Sequence, residues 1–425
     1  MQQSKAWRVK LSLFMTYFVF AIMLNSVGTV ILQVIGNYDV SKTAASVLEG
    51  FKDLPIAIVS FLVASFLPRY GFRKAMMTGL GIVSLACVAM PLLPSFLMTK
   101  ILFLCVGVSF ALVKVSVYST VGLITENSRQ HASFLSTIEG VFMVGVLTGY
   151  WVFSFFIDSA DPKSQSWLNV YWPMAVVCVI NALLLLSTPL DESEARKSEP
   201  TKLAQDFLDM LKLMTRPLVY IFVISAFLYV LIEQGIGTWL PTFNNEILKL
   251  PAAMSVQATS IFAACLAAGR LSAGAVMSRF HWYPVLNICL IFMGALVLLT
   301  LPLTHGIEEN PDMNWTSAPL AAFIFPLIGL FMAPIYPAIN SVILTALPKH
   351  QHSAMTGLIV IFSALGGTTG SIITGYVFGA FDGQTAFYLS LIPITVILIM
   401  LFFFKRATDK LVPDDQPVSF AAAAH

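Results

Sequence analysis

Long apolar runs recur along almost the whole chain, and they decide what it can fold into. The first extends from about Leu11 to Ile35, and comparable runs follow it with short polar or Pro- and Gly-containing breaks between them. A helix that crosses the hydrocarbon core of a bilayer needs about 20 predominantly apolar residues. The breaks predict twelve transmembrane helices, near residues 10–35, 43–66, 74–93, 98–123, 132–157, 169–189, 217–242, 255–277, 284–303, 317–346, 354–379 and 386–404.

The composition agrees with a membrane protein and excludes several other classes. Hydrophobic residues make up 57% of the chain and charged residues 11%, whereas a soluble domain carries about 25% charged residues. The net charge of +2 provides no basic surface for a nucleic acid. The five cysteines lie inside apolar runs and lack metal-ligand spacing, so we expect no metal and no cofactor.

The longest polar segment, residues 191–216, lies between the sixth and seventh predicted helices. Six helices on either side of a hydrophilic connection are typical of a transporter with two related halves. We therefore predict an all-α membrane protein with an N-terminal six-helix bundle over residues 1–190, a cytoplasmic linker over 191–216, a C-terminal six-helix bundle over 217–410 and a disordered tail over 411–425.

The distribution of positive charge orients the predicted helices. With the N-terminus in the cytoplasm, seventeen of the 24 Lys and Arg residues fall on the cytoplasmic side, and four fall outside, namely Lys42, Lys100, Lys163 and Lys249. Because cytoplasmic loops are enriched in Lys and Arg, we expect both termini in the cytoplasm. The short loops favour a multi-pass protein of a bacterial inner (plasma) membrane.

The loop after the second predicted helix carries a recognisable motif. Residues 64–74 read Ala-Ser-Phe-Leu-Pro-Arg-Tyr-Gly-Phe-Arg-Lys, and a weaker copy with a small residue and an Arg five apart ends at Arg279. The first loop resembles the signature of the major facilitator superfamily between its second and third helices. Pro68 replaces the signature's Asp, which normally helps to latch the two halves, so the latch must differ here. We assign a gating role to Arg69, Arg73, Arg270 and Arg279.

A second resemblance narrows the branch within that superfamily. Residues 333–341, with Gly366, Gly367 and Gly370 in the next helix, resemble the fucose–galactose–glucose:proton symporters. The resemblance implies a central cavity lined by helices one, four, seven and ten, and transport by alternating access. The fucose permease has a proton-coupling carboxylate in its fourth helix, and this chain has the cation Lys114 near that position.

Ionisable residues inside the predicted helices are the sharpest functional signal. A charge at the bilayer centre costs at least about 2.5–3.5 kcal/mol, so such residues are rare and usually functional. The candidates are Glu49, Lys52, Asp53, Lys114, Glu139, Glu233 and Arg270.

Lys114 and Glu139 lie on consecutive helices at equal distances from their connecting loop. Their similar depth predicts a buried ion pair. The pair either fixes helix packing or titrates as Lys114 engages an anionic substrate, with Glu139 taking a proton.

Glu49 and Asp53 are four residues apart and share one face of the second helix. The same depth argument places Asp53 opposite Asn25. Two neighbouring carboxylates suit a proton carrier, whereas Lys52 is adjacent in sequence and is expected to point elsewhere. The alternative is that these three charged residues form an outer gate.

The seventh helix contains Glu233, Gln234, two glycines, Trp239 and Pro241. Glycines and a proline in one span predict a broken helix, and its polar side chains suit a polar solute. Trp239 is predicted to stack on a sugar ring or, alternatively, to lie at the membrane interface.

The tenth helix contains two prolines, Pro334 and Pro337, that are expected to bend it. Tyr336 and Asn340 are four residues apart on one face, where they either line the cavity or join helices.

These patterns predict a secondary active transporter, and not an enzyme. The leading prediction is proton-coupled symport of a small polar solute, a sugar acid or other organic anion because of Lys114, or a neutral sugar. Its partners are then the substrate, protons and the lipid bilayer, and we expect a monomer. Alternatives are a proton-coupled exporter of an amphipathic metabolite or drug, and a non-transporting membrane sensor.

Overall fold

The computed structural model describes residues 2–63, 67–125, 127–188, 190, 192, 203–310, 313–348 and 351–408. Throughout these ranges the regular secondary structure is helical. In chain order the α-helices are α1 Gln2–Asn25, α2 Val27–Tyr38, α3 Lys42–Ala45, α4 Leu48–Val63, α5 Leu67–Tyr70, α6 Phe72–Leu92, α7 Phe96–Ile124, α8 Ser128–Ser154, α9 Tyr171–Leu186, α10 Leu203–Met214, α11 Pro217–Glu246, α12 Ala252–Met277, α13 Trp282–Thr300, α14 Ala321–Ile324, α15 Ile328–Met332, α16 Ile335–Ala346, α17 His352–Ala380, α18 Gly383–Tyr388 and α19 Leu391–Thr408.

The described helices reproduce the predicted transmembrane pattern. Among the described residues, eleven helical segments are long and apolar enough to cross a membrane. The predicted second span corresponds to the 16-residue helix α4, and residues 64–66, which follow it, lie outside the described ranges. The spans could be placed from sequence because the thickness of the bilayer sets the length of each apolar run.

The chain folds into two compact units. The first contains the described residues within 1–40 and 48–204, and the second contains those within 41–47 and 205–425. Helix α10 lies within the predicted linker, whereas residues 191 and 193–202 of that linker and the whole predicted tail lie outside the described residues.

Glycines allow the helices of the first unit to pack closely. A Cβ atom at Gly145 of α8 would lie 2.8 Å from the carbonyl oxygen of Phe18 in α1. A Cβ atom at Gly107 of α7 would collide with the carbonyl group of Lys52 in α4. Small residues at such crossings let helix backbones approach in lipid, and they hold α1, α4, α7 and α8 together.

In the second unit, glycines likewise allow close packing between α11 and α17. Cβ atoms at Gly366 and Gly370 would collide with the carbonyl groups of Phe227 and Leu231, respectively. These glycines were noted in the sequence for their family resemblance, and the structure gives them a packing role.

The seventh span is not broken, which contradicts the prediction. Helix α11 runs through its internal Pro241 for 30 residues. A Cβ atom at Gly235 would lie 2.8 Å from Thr374 Oγ1, and one at Gly237 would lie 3.2 Å from the ring of Phe262. The glycines therefore allow close packing, and they do not unwind the helix.

Interruptions occur in other described spans, among them the first and the tenth. The first span changes from α1 to α2 at Ser26, although its sequence predicted one uninterrupted helix. The tenth span is divided into α14, a 3₁₀ turn, α15 and α16, and the break between α15 and α16 at Ala333–Pro334 is the predicted proline bend.

Candidate functional site

A buried cluster of three charged residues lies on α4 in the first unit. The Lys52 ammonium donates a short hydrogen bond to Glu49 and lies 3.4 Å from Asp53 Oδ1. The prediction that Lys52 points elsewhere is therefore wrong. Its flexible four-carbon stem lets the ammonium fold back along α4 to Glu49, so adjacency in sequence did not prevent contact with both carboxylates.

The cluster is shielded from solvent inside the unit. The side chains of Glu49, Lys52 and Asp53 are 1%, 8% and 14% exposed, respectively. Tyr150 of α8 is close enough to interact electrostatically with Lys52 and Glu49. Buried charges persist only when they are paired and hydrogen-bonded, and here two carboxylates share one ammonium.

Asn25 and Asp53, which were predicted to face each other, form no hydrogen bond with each other among the described residues. Lys52 Nζ donates to the carbonyl oxygen of Leu24 at 3.3 Å, whereas the Asn25 amide donates to the carbonyl oxygen of Ala21 at 2.9 Å. Asn25 and Tyr150 both line a small crevice in this unit. The end of α1 thus meets the charged cluster through a backbone carbonyl group, a partner that side-chain patterns do not reveal.

Lys114 and Glu139 do not form the predicted ion pair. Glu139 accepts a 2.6 Å hydrogen bond from the hydroxyl group of Tyr118, one turn beyond Lys114 on α7. The structure shows no ion pair for Lys114 with any described residue. Equal distance from a loop fixes the depth of two residues but not the direction in which each faces, so the neighbouring turn supplied the partner.

Lys114 belongs to a face of α7 that is rich in aromatic residues. Phe110, Lys114 and Tyr118 are spaced by four, which places them on one side of the helix. The ring of Tyr17 on α1 lies 6.1 Å from that of Phe110, 6.3 Å from that of Tyr118 and 5.9 Å from that of Phe142 on α8. Sequence reasoning missed this cluster, although the spacing around Lys114 was visible.

In the second unit, Glu233 of α11 and Arg270 of α12 form an ion pair. Arg270 Nη2 lies 3.3 Å from Glu233 Oε1, with the two side chains 44% and 17% exposed. Arg270 was predicted as a gating residue, and its contact with Glu233 was not predicted. The structure instead places it beside a predicted substrate-binding residue.

Two tyrosines and an amide lie beside this ion pair. The ring of Tyr336 stacks on that of Tyr229 at 5.4 Å, and its hydroxyl group lies 2.6 Å from Ser363 Oγ. Asn340 also hydrogen-bonds to Tyr336. The oxygen Oδ1 of Asn340 is buried and has no hydrogen-bond partner within the described part of the chain, and its predicted substrate contact stays a prediction.

Trp239 does not fit the predicted substrate contact. It is fully buried, and its Nε1–H donates to the carbonyl oxygen of Ser371 at 3.0 Å. Phe378 lies 5.7 Å from its ring, and Gly375 makes close contact with its edge. The indole therefore fixes α11 against α17. On the same helix, Gln234 accepts a hydrogen bond from Thr238 Oγ1 at 3.4 Å. The predicted substrate contact of Gln234 stays a prediction.

The predicted gating arginines have different environments. Arg73 donates to the carbonyl oxygen of Thr188 at 2.9 Å, and its backbone N–H donates to Glu192 Oε1 at 2.7 Å. A carboxylate is favourable at the start of α6 because of the helix dipole. Arg69 and Arg279 are exposed, and the gating role of all three residues stays a prediction.

Comparison with known proteins now assigns the family. The sequence model described as Major Facilitator Superfamily matches residues 13–367 and 313–423. The chain belongs to this superfamily. It is accordingly a multi-pass membrane transporter with the major facilitator fold of two six-helix bundles, and not an enzyme.

Solved structures agree with this fold. A bacterial homolog of the human lysosomal transporter Spinster has a TM-score of 0.75 and 12% identity, covering 97% of this chain and 99% of that chain. The E. coli fucose:proton symporter FucP has a TM-score of 0.58 and 16% identity, covering 93% of this chain and 98% of that chain. At these identities the likeness shows a shared fold alone, which the sequence resemblance had implied.

One curated relative is the Saccharomyces cerevisiae protein named Bypass of stop codon protein 6. It is 26% identical over 180 residues, which are 42% of this chain and 35% of the yeast protein. The match thus spans about a third of that relative's length.

Proposed function

We propose that this transporter is a proton-coupled symporter of a small polar solute, with sugar acids and other organic anions as the first candidates and neutral sugars as the next. The observation that carries the proposal is the buried cluster of Glu49, Lys52 and Asp53 on α4. Its two carboxylates and one ammonium sum to one negative charge when all are ionised.

Proton binding offers a direct way to neutralise that excess charge. An uncompensated charge inside a membrane-spanning segment is costly, and one proton on the cluster makes it neutral. A side chain that takes up a proton on one side of the membrane and releases the proton on the other side couples proton flow to transport. Asp53 suits this role because its contact with Lys52, at 3.4 Å, is looser than that of Glu49.

Lys114 and its surroundings support the proposed substrate class. A half-buried cation that forms no ion pair with the described residues attracts a carboxylate. Tyr118, on the same face of α7, is only partly buried, and its ring offers a flat apolar surface for the C–H groups of a sugar-like or cyclic solute.

A thermal-shift screen of the purified protein against sugars, sugar acids and organic anions tests the substrate class. Stabilising compounds are then tested for uptake into proteoliposomes driven by an inward proton gradient. We expect an organic anion to stabilise the wild type and not Lys114→Met, whereas Lys100→Met, which removes a cation from the same helix, serves as the control. Stabilisation by hydrophobic cations alone would contradict the proposal and favour drug export.

A further inference from the structure

The ammonium group of Lys52 is surrounded by oxygen atoms from two helices. Glu49 and Asp53 contribute carboxylate oxygens from α4, and the carbonyl group of Leu24 contributes a third oxygen from α1 at 3.3 Å. Leu24 lies next to the interruption of the first span at Ser26. A backbone carbonyl oxygen near a helix interruption is a donor that transporters use for a coupling cation, and here two carboxylates lie beside it.

The space around this ammonium is confined. The backbone of Lys52 packs directly on Gly107 of α7, where no side chain fits. Tyr150 of α8 faces the cluster and interacts with both Lys52 and Glu49. Within the described residues, the charged or titratable groups that face Lys52 are thus Glu49, Asp53 and Tyr150. None of these groups is a second cation.

We propose that Lys52 is a tethered cation in a site that could otherwise take a free monovalent cation, and that it thereby restricts ion coupling at this cluster to protons. The lysine satisfies the three oxygen atoms permanently, because its stem is part of α4. A dissolved sodium ion then finds no vacant position, and only a proton can still add to the excess carboxylate. This assignment of ion selectivity rests on the proposed proton coupling.

Removing the lysine side chain tests whether a cation site remains. The variant Lys52→Ala lacks the three outer carbon atoms and the ammonium group of the lysine side chain. The n-propylammonium ion has the same atoms and can replace them, and sodium is a smaller cation that could occupy the position of the ammonium group. Purified Lys52→Ala is melted in chloride salts of n-propylammonium, sodium and tetramethylammonium at equal ionic strength. The last of these cations has the charge but cannot donate a hydrogen bond. Wild type and Lys100→Ala are measured alongside as controls.

We expect n-propylammonium, sodium or both to raise the melting temperature of Lys52→Ala above its value in tetramethylammonium. At ten times the dissociation constant, the rise should be on the order of 2 °C. Wild type and Lys100→Ala should melt at the same temperature in all three salts. Equal melting temperatures of Lys52→Ala in the three salts would overturn the proposal, as would the same shift in wild type.

A second measurement covers the case in which Lys52→Ala is not stable enough to purify. The variant is then extracted from membranes as a fluorescent fusion in each salt and examined by size-exclusion chromatography. A monodisperse peak is expected with n-propylammonium or sodium only. Aggregation in all three salts would count against the site, because the supplied cation failed to replace the lysine.

The two proposals fail in different ways. Loss of proton-driven uptake is judged on the wild type, with the solute found in the substrate screen. A wild type that transports without responding to a proton gradient would refute proton coupling. The cation dependence of Lys52→Ala would still show whether the lysine occupies a cation site.

Discussion

The indole Nε1 of Trp239 on α11 lies 3.0 Å from the carbonyl oxygen of Ser371 on α17. It also lies 3.3 Å from the hydroxyl oxygen of Ser371, which in turn donates to the carbonyl oxygen of Ser46 at 3.1 Å. The hydrogen bonds thus connect three segments of the second unit through one fully buried tryptophan. Trp239 is a structural residue in this arrangement.

Trp239→Phe should lower stability without changing substrate affinity. The substitution removes the donor to Ser371 and leaves a buried carbonyl group less well satisfied, at a cost of about 1–3 kcal/mol. Thermal unfolding in detergent measures the loss. Trp172→Phe, at an exposed position, is the matched control and should change the unfolding free energy by less than about 0.5 kcal/mol. Weaker substrate binding by Trp239→Phe at unchanged stability would restore the predicted stacking role.

Gly370→Ala should destabilise the second unit because of the close approach of two helices. The added methyl group would collide with the carbonyl group of Leu231 on α11, and overpacking costs about 1–3 kcal/mol. Gly140→Ala is the control, since nothing lies within 4 Å of a Cβ atom there. The melting temperatures of the two variants provide the comparison, and equal values would argue against tight packing of α11 on α17.

The ion pair between Glu233 and Arg270 should show measurable coupling. A double-mutant cycle with Glu233→Gln and Arg270→Gln is expected to give an interaction free energy of about 0.5–3 kcal/mol. Arg270 is 44% exposed, so solvent screening places the value toward the lower end. Additive effects of the two substitutions on unfolding free energy would mean that the observed pair contributes nothing to stability. A cycle of the exposed pair Asp39 and Lys163, 3.3 Å apart, should give less.

The positions of the spans followed from sequence, because a long apolar run has few alternatives to a transmembrane helix. The depth of charged residues could also be predicted to within about one turn. Glu139 was expected to pair with Lys114, and it accepts a hydrogen bond from Tyr118 instead. Asp53 was expected to face Asn25, and the hydrogen bond that joins the two helices runs from Lys52 to the carbonyl oxygen of Leu24. In both cases the observed partner lies within about one turn of the predicted residue along its helix, but it is a different residue.

Partners could not be predicted because they depend on helix rotation and side-chain flexibility. The rotation of α7 and α8 about their axes is set by packing on neighbouring helices, and the sequence pattern of a span that is apolar on all sides does not define it. The glycines of α11 led to the wrong prediction of a broken helix for a related reason. Glycine weakens a helix and also permits close packing, and only the positions of Thr374 and Phe262 distinguish the two effects.

Proton-driven uptake by Asp53→Asn is the most direct test of coupling by the buried cluster on α4. The substitution keeps the shape of the side chain and removes its ability to gain and lose a proton. Asp39→Asn, which alters an exposed carboxylate, is the control. In proteoliposomes, we expect Asp53→Asn to abolish uptake driven by a proton gradient and to preserve substrate counterflow, while Asp39→Asn retains both. Full proton-driven uptake by Asp53→Asn would contradict proton carriage by this residue.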